Sequence, residues 1–86
     1  MQSTSVVIPT CNRASLLADS LKSVFAQTVQ PDEVILIDDG STDNTPDVAA
    51  RYPQVRYVRT ENQGKSAAIN LAMTLMTGTR LWVVDD

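Results

Sequence analysis

Four consecutive aliphatic residues, 34–37, are followed directly by two aspartates and a glycine. A strand that is apolar on both faces is typical of a central parallel strand covered by helices on each side. Three further short apolar runs predict three more strands, at residues 5–8, 55–58 and 81–84. The chain therefore has the strands of one small parallel sheet.

Helical segments separate these strands. A first apolar stripe with helical spacing predicts a helix over residues 14–28, and it consists of Leu17, Leu21, Val24 and Phe25. Capping residues before Pro46 predict a short second helix that ends near residue 52. A second stripe predicts a third helix, and it consists of Ala68, Leu71, Ala72, Leu75 and Met76. Gly78 follows at the place where a C-terminal cap is expected.

The resulting order, β-α-β-α-β-α-β, predicts a Rossmann-like α/β fold with a four-stranded parallel sheet. We expect the strand order 3-2-1-4, with the third strand at an edge because it carries Arg56 and Arg59. Pairing of the first strand is expected to end at Pro9, which has no N–H to donate to a neighbouring strand. Ligands in such open sheets bind beyond the carboxyl ends of the strands.

Composition excludes several classes of function. The net charge is −3 and the basic residues are scattered, which predicts no nucleic-acid partner. The chain has no histidine and a single cysteine, Cys11, so a disulfide within the chain and a conventional zinc site are excluded. No apolar run approaches the roughly 20 residues of a spanning helix, and no signal peptide is recognisable. These properties predict a cytoplasmic location, or the cytoplasmic face of a membrane reached through further segments.

Polar clusters follow the predicted strands, at residues 10–13, 38–43, 62–65 and 85–86. Asp38 or Asp39 is placed to accept a hydrogen bond from a pyrimidine imide or a ribose hydroxyl, although aspartates are also ordinary turn residues. Lys65 lies at a predicted helix N-terminus, where its ammonium group is placed to bind a diphosphate. The alternative interpretation is an ordinary surface lysine. Asp85 and Asp86 offer oxygen ligands for Mg²⁺ or Mn²⁺ that bridges phosphates. The alternative interpretation is a solvated chain end.

Five segments in order resemble family 2 glycosyltransferases with the GT-A fold: residues 6–13, 21–28, 34–43, 61–70 and 78–85. In this sequence the most similar segments read VVIPTCNR, VILIDDGSTD and ENQGKSAAIN. The resemblance implies transfer of a sugar, with inversion, from a nucleoside-diphosphate sugar that is commonly UDP-linked. It also implies Mg²⁺ or Mn²⁺ as the cofactor of the whole enzyme.

The resemblance further implies the residues of the donor site. The nucleotide-binding residues would be Pro9, Thr10, Cys11, Arg13, Asp38, Asp39, Lys65, Asp85 and Asp86. Asp85 and Asp86 would be the first two positions of a metal-binding acidic motif whose last aspartate, usually the direct ligand, would come next. Asp39 would bind the base while Asp38 supports the same turn. Cys11 replaces the family's usual tyrosine, which weakens stacking on the base, and Trp82 replaces a commonly small residue.

On this interpretation residues 1–86 are the N-terminal, donor-binding part of a glycosyltransferase domain. The acceptor half and the general base would lie elsewhere, so no catalytic residue is assigned and the isolated chain is expected to be inactive. The fourth strand would leave an apolar edge, which predicts self-association. Two alternatives remain. One is a self-associating folding fragment without a catalytic role, and the other is a receiver-like or other nucleotide-binding α/β domain. A receiver-like domain needs an aspartate after its third strand, where this chain has residues 59–61, Arg-Thr-Glu.

Overall fold

The computed structural model describes residues 3–85 as seven alternating elements. Their bounds are β1 Thr4–Thr10, α1 Ala14–Phe25, β2 Glu33–Asp39, α2 Thr45–Ala50, β3 Val55–Thr60, α3 Lys65–Leu75 and β4 Arg80–Val83. The strands form one parallel sheet in the order β3-β2-β1-β4. The predicted fold class and strand order are confirmed, including the edge position of β3. Within residues 3–85 no helix has the length and apolar content needed to cross a membrane.

Each face of the sheet has its own apolar core. Alternate residues of β1 and β2 point to opposite faces, as the pleat of a strand requires. On one face, α1 and α2 cover a core of Val6, Ile8, Val34, Leu36, Leu17, Leu21, Val24, Val48 and Ala49. On the other face, α3 covers a core of Val7, Ile35, Ile37, Ala68 and Ala72. This double burial explains why the two central strands are continuous apolar runs rather than alternating ones.

The prediction that pairing of β1 ends at Pro9 is wrong. β1 continues to Thr10, and Pro9 lies opposite Ile37 of β2. The N–H of Val84 donates to the C=O of Val7 at 2.9 Å, so the backbone of Val7 faces β4. Pro9, two residues further on, faces the same way. Because the paired part of β4 already ends at Val83, the missing N–H of Pro9 interrupts no strand pairing.

Helix α1 is shorter than the predicted span of residues 14–28. It ends at Phe25, with Ala26 as its C-cap residue. The side-chain amide of Gln30 donates to the C=O of Phe25 at 3.1 Å and to that of Gln27 at 2.6 Å. The helical conformation is also disfavoured at Gln30, because a proline follows it. A side chain therefore satisfies carbonyls that another helical turn would have used.

Gly78 is not the C-terminal cap that the sequence predicts. Helix α3 ends at Leu75, and the cap residue Met76 is already extended, with φ −67° and ψ 146°. Gly78 instead lies against the start of β1, where its N–H donates to Ser5 Oγ at 2.9 Å. A Cβ at this position would overlap Ser5 Oγ and lie 2.9 Å from Ser5 N. Close approach of two backbones is the reason for glycine here.

Candidate functional site

A cavity of about 330 Å³ lies beyond the carboxyl ends of β1, β2 and β4. Its lining consists of Pro9, Thr10, Cys11, Arg13, Asp39, Lys65, Ala68 and Asp85. Seven of the nine site residues predicted from the sequence thus share one cavity. Asp38 is not among the lining residues, and Asp86 lies outside the residues that the structure describes. Ala68 belongs to the core, as the apolar stripe predicts, and it also contributes to the lining because it lies three residues after Lys65 on the same side of α3.

Asp38 is fully buried beneath the turn that follows β2. Its Oδ1 accepts the N–H of Ser41 at 3.0 Å and its Oδ2 accepts the hydroxyl of Tyr57 at 2.5 Å. The guanidinium of Arg59 lies 3.6 Å from the same Oδ2. Burial, and then the hydrogen bond to Asp38, raise the pKa of the Tyr57 hydroxyl. Because Asp38 shares a strand face with Leu36, it points toward α1 and α2. Its hydrogen bond from Ser41 stabilises the turn after β2 on the buried side.

Asp39 points to the other face of β2 and into the cavity. Its Oδ1 accepts the Thr60 hydroxyl at 2.7 Å and the N–H of Gln63 at 2.8 Å. Its Oδ2 accepts the N–H of Gly64, also at 2.8 Å. The Thr60 hydroxyl, followed by the N–H groups of Gln63 and Gly64, lowers the pKa of Asp39. A carboxylate held in this way is ionised at neutral pH and ties β2 to the loop before α3.

The loops after β1 and β2 are joined by hydrogen bonds centred on Asn12. Its backbone is left-handed, with φ 53°. Its Oδ1 accepts the N–H of Thr42 at 2.7 Å and that of Asp43 at 3.2 Å. In the other direction, the N–H of Asn12 donates to Ser41 Oγ at 2.8 Å. These bonds fix the position of one loop relative to the other.

Asp43 adds a second connection between the same loops. Its Oδ2 accepts the N–H of Ala14, the first residue of α1, at 3.2 Å. Its Oδ1 accepts the hydroxyl of Thr45 at 2.5 Å and the N–H of Thr45 at 3.0 Å. The Thr45 hydroxyl is the largest cause of the lowered pKa of Asp43. One carboxylate thus satisfies N–H groups at the beginnings of two helices, α1 and α2.

Lys65 and Asp85 form an ion pair at the mouth of the cavity. Lys65 is the first residue of α3, and Gly64 before it has φ 93°. Their side chains are 56% and 67% exposed, so water screens the attraction between them. Both charges are therefore accessible to a ligand that carries an anionic and a cationic group.

The metal-binding prediction rests on Asp85 and Asp86. Within residues 3–85 there is no group of three or more histidine, cysteine or acidic residues that could hold a metal ion. Asp85 supplies one carboxylate at the cavity. Mg²⁺ and Mn²⁺ that act on phosphates are commonly held by one or two carboxylates together with the phosphate oxygens. The donor set at the cavity fits such an ion and does not form a cage built from protein ligands alone.

Comparison with known proteins gives a family match over almost the whole chain. The family described as "Glycosyl transferase family 2" matches residues 5–86. Glycosyltransferase GlyG of Streptococcus pneumoniae is 35% identical over 87 residues, which cover 95% of this chain and 29% of that protein. The uncharacterized glycosyltransferase YibD of Escherichia coli is 36% identical, over 94% of this chain and 25% of that protein. The chain thus spans less than a third of the length of these curated relatives.

Solved structures show the same fold. A mannosyltransferase from Pyrobaculum calidifontis, in complex with GDP-Man and Mn²⁺, has a TM-score of 0.89 and 31% identity over 98% of this chain and 27% of its own. Glucosyl-3-phosphoglycerate synthase from Mycobacterium tuberculosis, in complex with Mn²⁺, UDP and glucosyl-3-phosphoglycerate, has a TM-score of 0.85 and 26% identity, over 98% of this chain and 33% of its own.

The family match excludes the alternative of a receiver-like domain. A family model that spans residues 5–86 and relatives more than 30% identical over nearly the whole chain show that it belongs to glycosyl transferase family 2.

Proposed function

We propose that the protein to which this chain belongs transfers a sugar from a nucleoside-diphosphate sugar, and that the cavity binds the donor nucleotide. The observation that carries this proposal is the placement of Asp39 and Lys65 in one cavity at the carboxyl ends of the strands. Asp39 offers an acceptor for a base, and Lys65 at the start of α3 offers a cation for the diphosphate. Solved relatives in complex with UDP or with GDP-Man support the same donor class.

The hydrogen bonds of Asp39 favour uracil as the base. Oδ1 already accepts two hydrogen bonds, and Oδ2 accepts one. The N–H of Asn62 also lowers the pKa of Asp39. Since each carboxylate oxygen accepts about two hydrogen bonds, at most one position remains, and it is on Oδ2. Uracil presents a single imide N–H, whereas guanine presents an N–H and an adjacent amino group that together need two acceptors. A UDP-linked sugar is therefore the donor that we propose.

The other end of the cavity suits the diphosphate and its cation. In this proposal Lys65 exchanges Asp85 for phosphate oxygens, and Asp85 is released to hold Mg²⁺ or Mn²⁺. Because the pair is solvent-exposed, its separation costs little. When bound, such an ion would neutralise the negative charge on the leaving diphosphate. The chain's own residues bind and orient the donor around that ion.

The acceptor reaction is proposed to need the rest of the protein. The chain covers 27% and 33% of the two solved relatives, so we place acceptor binding and the general base for an inverting transfer outside it. The 86-residue chain alone should bind the donor without transferring sugar. Incubation with UDP-linked sugars and a mixture of acceptors would show no transferred label, and sugar transfer by the purified chain would overturn this part.

Self-association through the sheet edge is a separate proposal. β4 lies at the end of the strand order, next to β1 alone among the described residues, and Trp82 on it is 46% exposed. An unprotected apolar edge is a template for pairing with a second copy. Sedimentation should show a concentration-dependent dimer that Trp82→Lys removes. The matched change Leu16→Lys, at a 50% exposed position on α1, should leave the dimer unchanged. A monomer at all concentrations would refute the proposal.

Titration calorimetry tests donor binding directly. The purified chain would be titrated with UDP, GDP and uridine, each with and without Mn²⁺. We expect UDP to bind more tightly than GDP or uridine, and Mn²⁺ to strengthen the binding of UDP. Absence of heat with UDP would refute the proposed function, and equal affinity for GDP would refute the assignment of uracil.

A further inference from the structure

Two residues outside the cavity lining join the loops that carry the lining. Asn12 and Ser41, which we call the loop clasp, are connected by the 2.8 Å hydrogen bond from Asn12 N–H to Ser41 Oγ. Asn12 Oδ1 returns to the same loop and accepts the N–H of Thr42 at 2.7 Å. Neither residue of the clasp lines the cavity. The clasp is thus a contact between loops 29 residues apart in sequence.

The position of the clasp relates it to the proposed donor site. Cys11 and Arg13, on either side of Asn12, line the cavity from the first loop. Asp39, two residues before Ser41, lines it from the end of β2. The clasp adds to the strand pairing of Thr10 with Asp38 in fixing the separation between these two parts of the lining.

The clasp is also anchored in the core. Ser41 is only 4% exposed, and its N–H donates to the fully buried Asp38 at 3.0 Å. Asn12 has a left-handed backbone, which asparagine, aspartate and glycine adopt at low cost and other residues do not. Both members are thus held in one geometry before any ligand arrives.

We propose that Asn12 and Ser41 are positioning residues for the donor nucleotide. They hold Cys11 and Arg13 at the distance from Asp39 that nucleotide binding requires, and so they act on the ligand through these neighbours. This inference rests on the proposed function, since it takes UDP as the ligand of the cavity. Preorganisation of this kind raises affinity by removing the cost of ordering the loops during binding.

A matched pair of serines separates positioning from general stability. Ser41 and Ser5 are both buried, at 4% and 0% exposure. Each hydroxyl accepts a backbone N–H from another loop, from Asn12 at 2.8 Å and from Gly78 at 2.9 Å. Ser5 lies near the start of β1, at the opposite end of the sheet from the cavity. Ser41→Ala and Ser5→Ala each remove one such hydrogen bond, but only the first removes one beside the proposed site. Ser5→Ala also removes the hydrogen bond that the Ser5 hydroxyl donates to Glu33 Oε1 at 2.8 Å, so as a control it disturbs general stability at least as much.

Two readouts are needed, one with nucleotide and one without. Calorimetry gives the UDP affinity of each variant. The rate at which Cys11, the only thiol, reacts with a disulfide reagent gives the order of the first loop. Asn12→Gly keeps the left-handed backbone and removes the side-chain acceptor, so it provides a second test if Ser41→Ala folds poorly. Asn12→Asp keeps an acceptor oxygen and serves as the conservative replacement.

Ser41→Ala and Asn12→Gly should weaken UDP binding about fivefold, the value of roughly one lost hydrogen bond. Both should accelerate the reaction of Cys11, whereas Ser5→Ala changes neither readout and Asn12→Asp stays close to the unaltered chain. Equal effects of Ser41→Ala and Ser5→Ala, or no effect of the clasp variants, would overturn the inference. If the unaltered chain does not bind UDP, the proposed function fails, and the thiol rates still decide whether the clasp orders the loop.

Discussion

The carboxylate of Asp39 accepts the backbone N–H of Gly64 at 2.8 Å, which joins the end of β2 to the N-terminus of α3. The two residues are 25 positions apart in sequence, and each belongs to a different polar cluster at the sheet edge. The acidic group that we propose as the base contact is therefore also the group that positions the start of α3, the helix that we propose binds the diphosphate. In this proposal, base binding and diphosphate binding are coupled through this one side chain.

Asp39→Asn should disturb both functions. An amide presents N–H groups where the structure needs acceptors for Gln63 and Gly64, so the loop before α3 loses its support. We expect UDP binding to weaken by roughly tenfold or more, measured by calorimetry. Asp47→Asn removes the same charge from an exposed position in the first turn of α2 and should leave the affinity unchanged. Unaltered binding by Asp39→Asn would contradict the assigned role.

Lys65→Ala should weaken the binding of UDP without affecting uridine. The ammonium group contacts only the diphosphate in our proposal, so a ligand without phosphates does not depend on it. A loss of about tenfold for UDP is expected, because a charge-assisted contact is removed. Lys22→Ala, an exposed lysine in the last turn of α1, is the matched control. If uridine and UDP lose affinity equally, Lys65 does not bind the phosphates.

Two glycines with positive φ should differ in their tolerance of alanine. Gly40 has φ 83°, and an added Cβ would lie 3.0 Å from Asn62 Oδ1 and 3.4 Å from Asn62 N. Gly64 has φ 93° with nothing within 4 Å of an added Cβ. Gly64→Ala should cost about 1–3 kcal/mol, because φ 93° with ψ 164° is a conformation essentially restricted to glycine. Gly40→Ala should add the contact with Asn62 to the strain of its own positive φ. Urea denaturation measures the unfolding free energy of both variants, and an unchanged value for Gly40→Ala would contradict the importance of this contact.

The stability of the fold should decrease in acid. Asp39, Asp43 and Glu33 have lowered pKa values in the folded chain, because hydroxyl and N–H groups donate to their carboxylates. Their contribution is present above the ordinary carboxyl range and is lost as the pH falls through the lower folded values, below about pH 4. The unfolding free energy should thus be level near neutrality and fall toward pH 3. Asp43→Asn should flatten part of this slope, and a constant free energy from pH 6 to pH 3 would refute the explanation.

The sequence predicts the elements of this fold because burial leaves a local pattern. Both faces of β1 and β2 are covered, so residues 6–8 and 34–37 are uniformly apolar. The wrong predictions for Pro9 and Gly78 come from contacts between residues that are distant in sequence. The tolerance of Pro9 depends on where β4 stops pairing, and the role of Gly78 depends on its approach to Ser5. No local pattern records either contact.

In the candidate site, too, some features follow from local sequence patterns and others depend on contacts between distant residues. Parallel strands bring their carboxyl ends to one edge, so the sequence places Cys11, Asp39, Lys65 and Asp85 near one another. The separate directions of Asp38 and Asp39 follow from the alternation of a strand, but which of the two faces the cavity depends on where α3 packs. The hydrogen bonds of Asn12 across two loops leave no spacing pattern at all. The inverting mechanism and the cytoplasmic location stay predictions.

Nuclear magnetic resonance can locate the nucleotide on the chain. Amide chemical shifts of the ¹⁵N-labelled protein would be recorded during titration with UDP in the presence of Mg²⁺. We expect the largest changes at the lining and its loops, at residues 11–13, 39–42 and 63–65, and no change at Ser5 and Gly78, at the opposite end of the sheet. Changes confined to the opposite end of the sheet, or no changes at saturating UDP, would contradict it.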